Sequence, residues 1–219
     1  MKLALPLLTT LAAALLAVGG ANASLLTLSY QASIAPSPTD WKLDDPIPKF
    51  LTLESFNPLR GTLNAVRFNW SGSLDSVFSA ENASDNSSLI SYTASGSMQF
   101  RFPHFGNVGL VFGPQNGQRD LASGDSASWS VDLSGAGSGG HINLADFIGA
   151  NSFDVRVLAT SASTMSEYSG NVDFGIRTLA SARAQVTYDY TARAVPEPGS
   201  LTLLGLALAA AGMASRRRA

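Results

Sequence analysis

Apolar and polar residues alternate with a period of two through most of this 219-residue chain. Leu26, Leu28, Tyr30, Ala32 and Ile34 alternate with Thr27, Ser29, Gln31 and Ser33, which is the pattern of a strand with one buried face. Lys49 to Phe56 predicts a second strand, stopped by Asn57-Pro58. After a turn at Arg60-Gly61 comes a third, in which Val66, Phe68, Trp70, Gly72 and Leu74 share a face; the phase slips at Ala65-Val66, as at a β-bulge. From Ile90 to Phe102 the alternation runs without a phase error, and shorter runs follow at Ala127 to Leu133, Phe153 to Ala159 and Ala182 to Tyr190. Ala35 to Pro48 carries four prolines and reads as a loop, because proline cannot donate to a strand ladder. Ser134 to His141, SGAGSGGH, reads as a glycine-rich loop, and Leu144 to Ile148 as a single helical turn. Many strands with turn-rich connections and almost no helix predict an all-β fold, an antiparallel β-sandwich over residues 24–194.

The two ends break this pattern. Lys2 precedes the apolar run LALPLLTTLAAALLAV, Gly19-Gly20 interrupt it, and Ala21-Asn22-Ala23 place small residues at −3 and −1. Residues 1–23 therefore read as a Sec-type signal helix, with cleavage between Ala23 and Ser24 by signal peptidase. At the other end, residues 195–219 hold Pro196-Glu197-Pro198, an apolar run from Leu201 to Ser215, and Arg216-Arg217-Arg218. As a helix the apolar run reaches roughly 22 Å, short of the about 30 Å hydrocarbon core. It is thus a marginal span, suited to transient insertion in an inner membrane. The three arginines snorkel to headgroups and favour the cytoplasmic side. The two prolines hold Glu197 in an extended segment that a protease cleft can grip.

This tripartite tail resembles the PEP-CTERM sorting domain, with Pro196, Glu197, Pro198 and Arg216 to Arg218 on the motif. The resemblance implies recognition and processing by exosortase, a multi-spanning membrane enzyme, and makes this chain the substrate. The body is similar to the choice-of-anchor E domain of exported bacterial proteins. The segments that carry this likeness are Thr39-Asp40-Trp41, Phe56-Asn57-Pro58, Gly61-Thr62-Leu63, Leu144 to Gly149 and Val186 to Tyr190. No activity comes with that family.

Composition narrows the functional classes. There is no cysteine, so neither disulfides nor thiolate chemistry is available. The body carries ten basic side chains against fifteen acidic ones, a net charge of −5 that argues against nucleic acid as a partner. Serine, threonine, asparagine and glycine dominate the polar positions.

The only two histidines, His104 and His141, fall in different predicted loops without a neighbouring ligand, so no zinc site is expected. No Gly-x-Ser-x-Gly elbow joins a strand to a helix, and no phosphate loop or dinucleotide fingerprint is present. Asp40, Asp44 and Asp45 are weak candidates for calcium, as are Asp120 and Asp125, because none follows the ligand spacing of a calcium loop. No cofactor is otherwise expected. Trp41 is the one tryptophan out of phase with the core and hence the candidate for an exposed sugar-stacking ring. Asn69, Asn82 and Asn86 head glycosylation sequons, read here as chance matches in an Asn/Ser-rich chain.

These features predict an exported, non-enzymatic protein of a Gram-negative-type bacterium. It would pass as an inner-membrane precursor to the cell surface or extracellular matrix, with a structural or adhesive role in biofilm or exopolysaccharide. A calcium- or glycan-binding surface module is the alternative, and a secreted hydrolase ranks last.

Overall fold

In the computed structural model, the alternation becomes nine strands among the described residues, all paired antiparallel. The structure describes residues 24–141, 143–168, 171–193 and 205–208. Ser24–Arg193 forms a compact unit by itself. The signal helix, Ala21 and Ala23 of the cleavage site, the Pro196-Glu197-Pro198 motif and Arg216 to Arg218 lie outside the described residues. Of the predicted C-terminal helix only Gly205 to Leu208 is described, and it is α-helical.

The strands are β1 (Leu25–Pro38), β2 (Lys49–Glu54), β3 (Gly61–Asn82), β4 (Ser88–Phe102), β5 (Gly106–Leu121), β6 (Ser126–His141), β7 (Ser152–Ser161), β8 (Thr164–Glu167) and β9 (Val172–Ala192). One sheet has the order β1-β9-β3-β6; the other has the order β2-β7-β4-β5, with β8 also paired to β4. The long central strands β3 and β9 pair along their full length. Their inner faces, Val66, Phe68, Leu74 and Phe78 on β3 and Ala182, Ala184, Val186 and Tyr188 on β9, are buried. They meet Met98, Phe100 and Phe102 of β4 and Val155 and Val157 of β7 in one shared core. Phe68 and Phe102 face each other across the two sheets with ring centroids 4.9 Å apart.

Two expectations are corrected. Ala35 to Pro48 is not a loop from its start: β1 continues through Pro36 to Pro38, with a register shift between Ile34 and Ser37. This strand lies at a sheet edge, where a missing N–H leaves no ladder bond unmade. Nor is the SGAGSGGH run a loop. It is the second half of β6, paired to β3 from Ser134 opposite Ser73 to His141 opposite Val66. Its inward positions are glycine because core rings occupy the space: a Cβ on Gly137 would lie 2.6 Å from the Trp70 indole, and one on Gly139 would lie 2.5 Å from the Phe105 ring. Two further strands, β5 and β8, carry little alternation, so the pattern along the chain does not predict them. β5 is an edge strand, largely exposed on both faces, and it contains Pro114.

The expected bulge near Ala65 is present as a register shift between Leu63 and Ala65 against β9. The predicted helical turn is a 3-10 helix, Leu144–Phe147.

Candidate functional site

The outer face of the β1-β9-β3-β6 sheet is covered by short polar side chains in cross-strand pairs. Ser29 meets Thr187 at 3.0 Å, Ser73 meets Ser181 at 2.7 Å, and Thr27 donates to Asp189 at 3.0 Å. Arg67 closes the same row with an ion pair to Asp189 at 2.8 Å. Further along, Asp75 stands directly opposite Asp132. Burial raises the pKa of Asp75, reinforced by a hydrogen bond with Asp132 and by its charge.

The aspartates proposed for calcium do not assemble a site. Asp40 and Asp44 are exposed, and Asp45 folds back on its own loop, its Oδ1 accepting from the Ile47 amide at 2.9 Å. Among the described residues, no three His, Cys, Asp or Glu side chains stand close enough around one point to hold an ion in their present positions. Asp120 lies on the exposed edge strand β5, and Asp125 serves the fold through its carbonyl, which accepts from the Asn82 amide at 2.9 Å.

Trp41 is not an exposed ring. It is 3% exposed, its backbone pairs with Ala159, and its Nε1 donates to the Pro38 carbonyl at 2.7 Å. The short bridge to β7 draws it into the core, so the proline-rich segment is anchored by the very residue proposed as a sugar platform. Trp70 is buried and Trp129 stacks on Phe78 with centroids 5.9 Å apart, in keeping with their phase.

The sequons separate by burial. Asn82 is fully buried, and its amide donates to the carbonyls of Asn86, Leu121 and Ala122 at 2.8, 3.1 and 3.1 Å. Asn69 and Asn86 are exposed.

Sequence reasoning missed a convergence of the two histidines. His141 at the end of β6 places Nε2 3.4 Å from Asp146 Oδ2, and His104, in the β4–β5 turn, places Nδ1 3.9 Å from the same oxygen. Asn143 donates to that oxygen at 2.9 Å. The imidazoles rest on aromatic rings: His141 is 5.0 Å from Phe147 and 6.3 Å from Phe105, and His104 is 6.1 Å from Phe147. Once SGAGSGGH was read as a loop, His141 had no fixed place; as a strand ending opposite Val66, it is carried to the 3-10 helix that holds Asp146.

The same end of the body gathers segments that are scattered in sequence. Phe56 bridges Ile148, its amide donating to the Phe147 carbonyl at 2.8 Å and its carbonyl accepting from Gly149 at 3.0 Å. Its ring lies 5.7 Å from Tyr188 and 5.2 Å from Tyr190. Burial raises the pKa of Tyr188 strongly, and burial followed by a hydrogen bond to Glu54 raises that of Tyr30.

Beyond the folded body, the tail has a known counterpart. Residues 194–218 match the PEP-CTERM protein-sorting motif. The PEP-CTERM segment spans the proline pair, the apolar run and the arginine cluster together, and it begins where the compact unit ends. No helix among the described residues is long and apolar enough to cross a membrane. No curated protein matches the chain.

Solved structures of infectious bursal disease virus particles show faint similarity. The T13 particle gives 11% identity over 76% of this chain and 36% of that chain, with a TM-score of 0.20. The Gx strain gives 9% identity over 84% and 48%, also with a TM-score of 0.20. This chain therefore spans between about a third and a half of the length of those viral chains. Similarity at this level bears on neither fold nor function.

Proposed function

We propose that this chain is an exported protein, sorted by an exosortase-type system through its tail. Its β-sandwich body, of choice-of-anchor E type, serves a non-enzymatic structural or adhesive role at the cell surface or in an exopolysaccharide matrix. The observation that carries the reading is the PEP-CTERM match over residues 194–218, directly after a folded body that ends at Arg193. A polar motif, an apolar run too short for a settled span and a basic terminus together suit a segment that holds a precursor briefly and is then removed. The hydroxyl-covered outer sheet supports the matrix role, since rows of short polar side chains present many weak hydrogen-bonding sites to hydrated sugar polymers. The glycan-stacking version of the alternative has lost its one candidate ring with the burial of Trp41.

The test replaces Pro196, Glu197 and Pro198 with alanine in the native host. Retention of the protein as a membrane-associated precursor, with loss from the surface or matrix fraction, is the expected result. An unchanged distribution of processed protein would reject the sorting reading. The matrix role is tested separately by deleting the chain and measuring biofilm adhesion and matrix retention. Unaltered adhesion would reject that role while leaving the sorting reading intact.

A further inference from the structure

The chain has two histidines and no cysteine. Both histidines, one in the β4–β5 turn and one at the end of β6, approach one carboxylate oxygen, that of Asp146 on the 3-10 helix at 144–147. We propose that His104, His141 and Asp146 form a binding site for a divalent transition-metal ion, of which zinc is the representative.

Distance supports the assignment first. Two ligand atoms on one tetrahedral zinc, each about 2.0–2.1 Å from the metal, stand about 3.3–3.4 Å apart. His141 Nε2 and Asp146 Oδ2 are already separated by 3.4 Å. His104 Nδ1, at 3.9 Å from the same oxygen, is the open member of the set: to join the shell it must close to about 3.4 Å from Asp146 Oδ2 and to the same spacing from His141 Nε2. Its side chain is 53% exposed, so a small rotation meets little packing resistance. In their present positions the three do not enclose an ion.

The state of the donor atoms agrees. His141 Nε2 is buried and makes no hydrogen bond. Its side chain is 13% exposed and in contact with the rings of Phe105 and Phe147, and Asp146 Oδ2 stands 3.4 Å from this nitrogen. A buried ring nitrogen without a partner carries a desolvation cost that a coordinated cation would offset. Asn143 donates to the ligating oxygen at 2.9 Å, as outer-sphere groups do when they hold a carboxylate ligand in place.

His104 adopts a left-handed backbone, φ 63°, which costs a non-glycine residue energy and persists where surrounding structure enforces it. The resulting donor set, two imidazoles and one carboxylate, suits zinc and its neighbours over calcium or magnesium, which prefer all-oxygen shells. One coordination position remains on the solvent side for water or a donor from outside.

The proposal is independent of the sorting reading and is tested on the full chain, without an affinity tag, after chelator treatment. Titration calorimetry with zinc chloride is expected to show one ion per chain, with a rise in melting temperature that the chelator reverses. His104→Ala alters an exposed side chain, and circular dichroism checks that its fold is kept. It is expected to weaken zinc binding at least about tenfold, since even outer-sphere partners contribute that much. Asp146→Asn is expected to weaken it likewise, whereas Asp44→Asn leaves it unchanged. X-ray absorption of the zinc-loaded chain should show two imidazoles in the coordination shell. Absence of binding at micromolar zinc would overturn the proposal. So would equal affinity in the parent and His104→Ala chains, which would place the ion on other carboxylates.

Discussion

The phenol of Tyr188 on β9 donates to the backbone carbonyl of Glu54 on β2 at 2.8 Å, so one hydrogen bond crosses from the first sheet to the second. Tyr188 is fully buried and in ring contact with Phe56 and Tyr30. Tyr188→Phe keeps the packing and removes the bond, and is expected to cost about 1–2 kcal/mol in urea denaturation near neutral pH. Because the pKa values of Tyr188 and Tyr30 are raised in the fold, the folded state holds these protons more tightly than the unfolded chain. Their contribution to stability is whole below pH about 10 and is lost as pH rises beyond it. Tyr188→Phe should therefore show a shallower alkaline loss than the parent; equal slopes would contradict the buried-phenol account.

Gly137 depends on Trp70 in the same close sense. Its inward position on β6 leaves room for the indole and for nothing else. Gly137→Ala is expected to destabilise by about 1–3 kcal/mol, with a shift in tryptophan emission as the ring is displaced. An unaffected unfolding midpoint would mean that the ring is not seated there.

These two positions show what was legible in the sequence. Strict alternation at Ile90 to Phe102 and Ala182 to Tyr190 announced β4 and β9, and the phase slip at Ala65 announced the bulge, because burial on one face imposes a period of two. Gly135 to Gly140 hid a strand: where a facing ring fills the inner volume, the sequence shows glycine instead of an apolar residue and the period disappears. The loss of that strand concealed the histidine cluster as well, since His141 is positioned only by the register of β6 against β3. Trp41 was misplaced for a related reason, as an isolated bridge to Ala159 leaves no periodic trace. The sorting motif of the tail was legible, because such a signal is read as linear chemistry over residues 194–218.

Asp75 and Asp132 are a built-in conflict on the outer sheet, two carboxylates directly across a strand pair. The raised pKa of Asp75 means that stability from its protonated form is present at acid pH, below about 3.9, and is lost as pH rises through the folded value. Asp75→Asn is expected to raise stability at pH 7 by roughly 0.2–1 kcal/mol and to flatten the pH dependence on the acid side. A loss of stability at pH 7 would show that the pair is held by something other than mutual proximity.

Asn82 ties three carbonyls at the end of β3 while its Oδ1 accepts from the amide of Ser84 at 3.1 Å. Asn82→Ala is expected to cost about 2–4 kcal/mol by thermal or chemical unfolding. The same burial makes the side-chain amide inaccessible in the folded chain, so expression in a glycosylating host should modify Asn69 or Asn86 in preference to Asn82. Peptide mapping that finds sugar on Asn82 of folded protein would contradict its placement.

The central claim is that the tail is a processing signal attached to a finished body. It is tested most directly by intact-mass spectrometry of the protein from its native host, with the sorting enzyme present and deleted. The account predicts a mature form that begins at Ser24 and ends near Pro196 to Pro198, and that is lost in the deletion strain. A mass that still runs to Ala219 in both strains would contradict it.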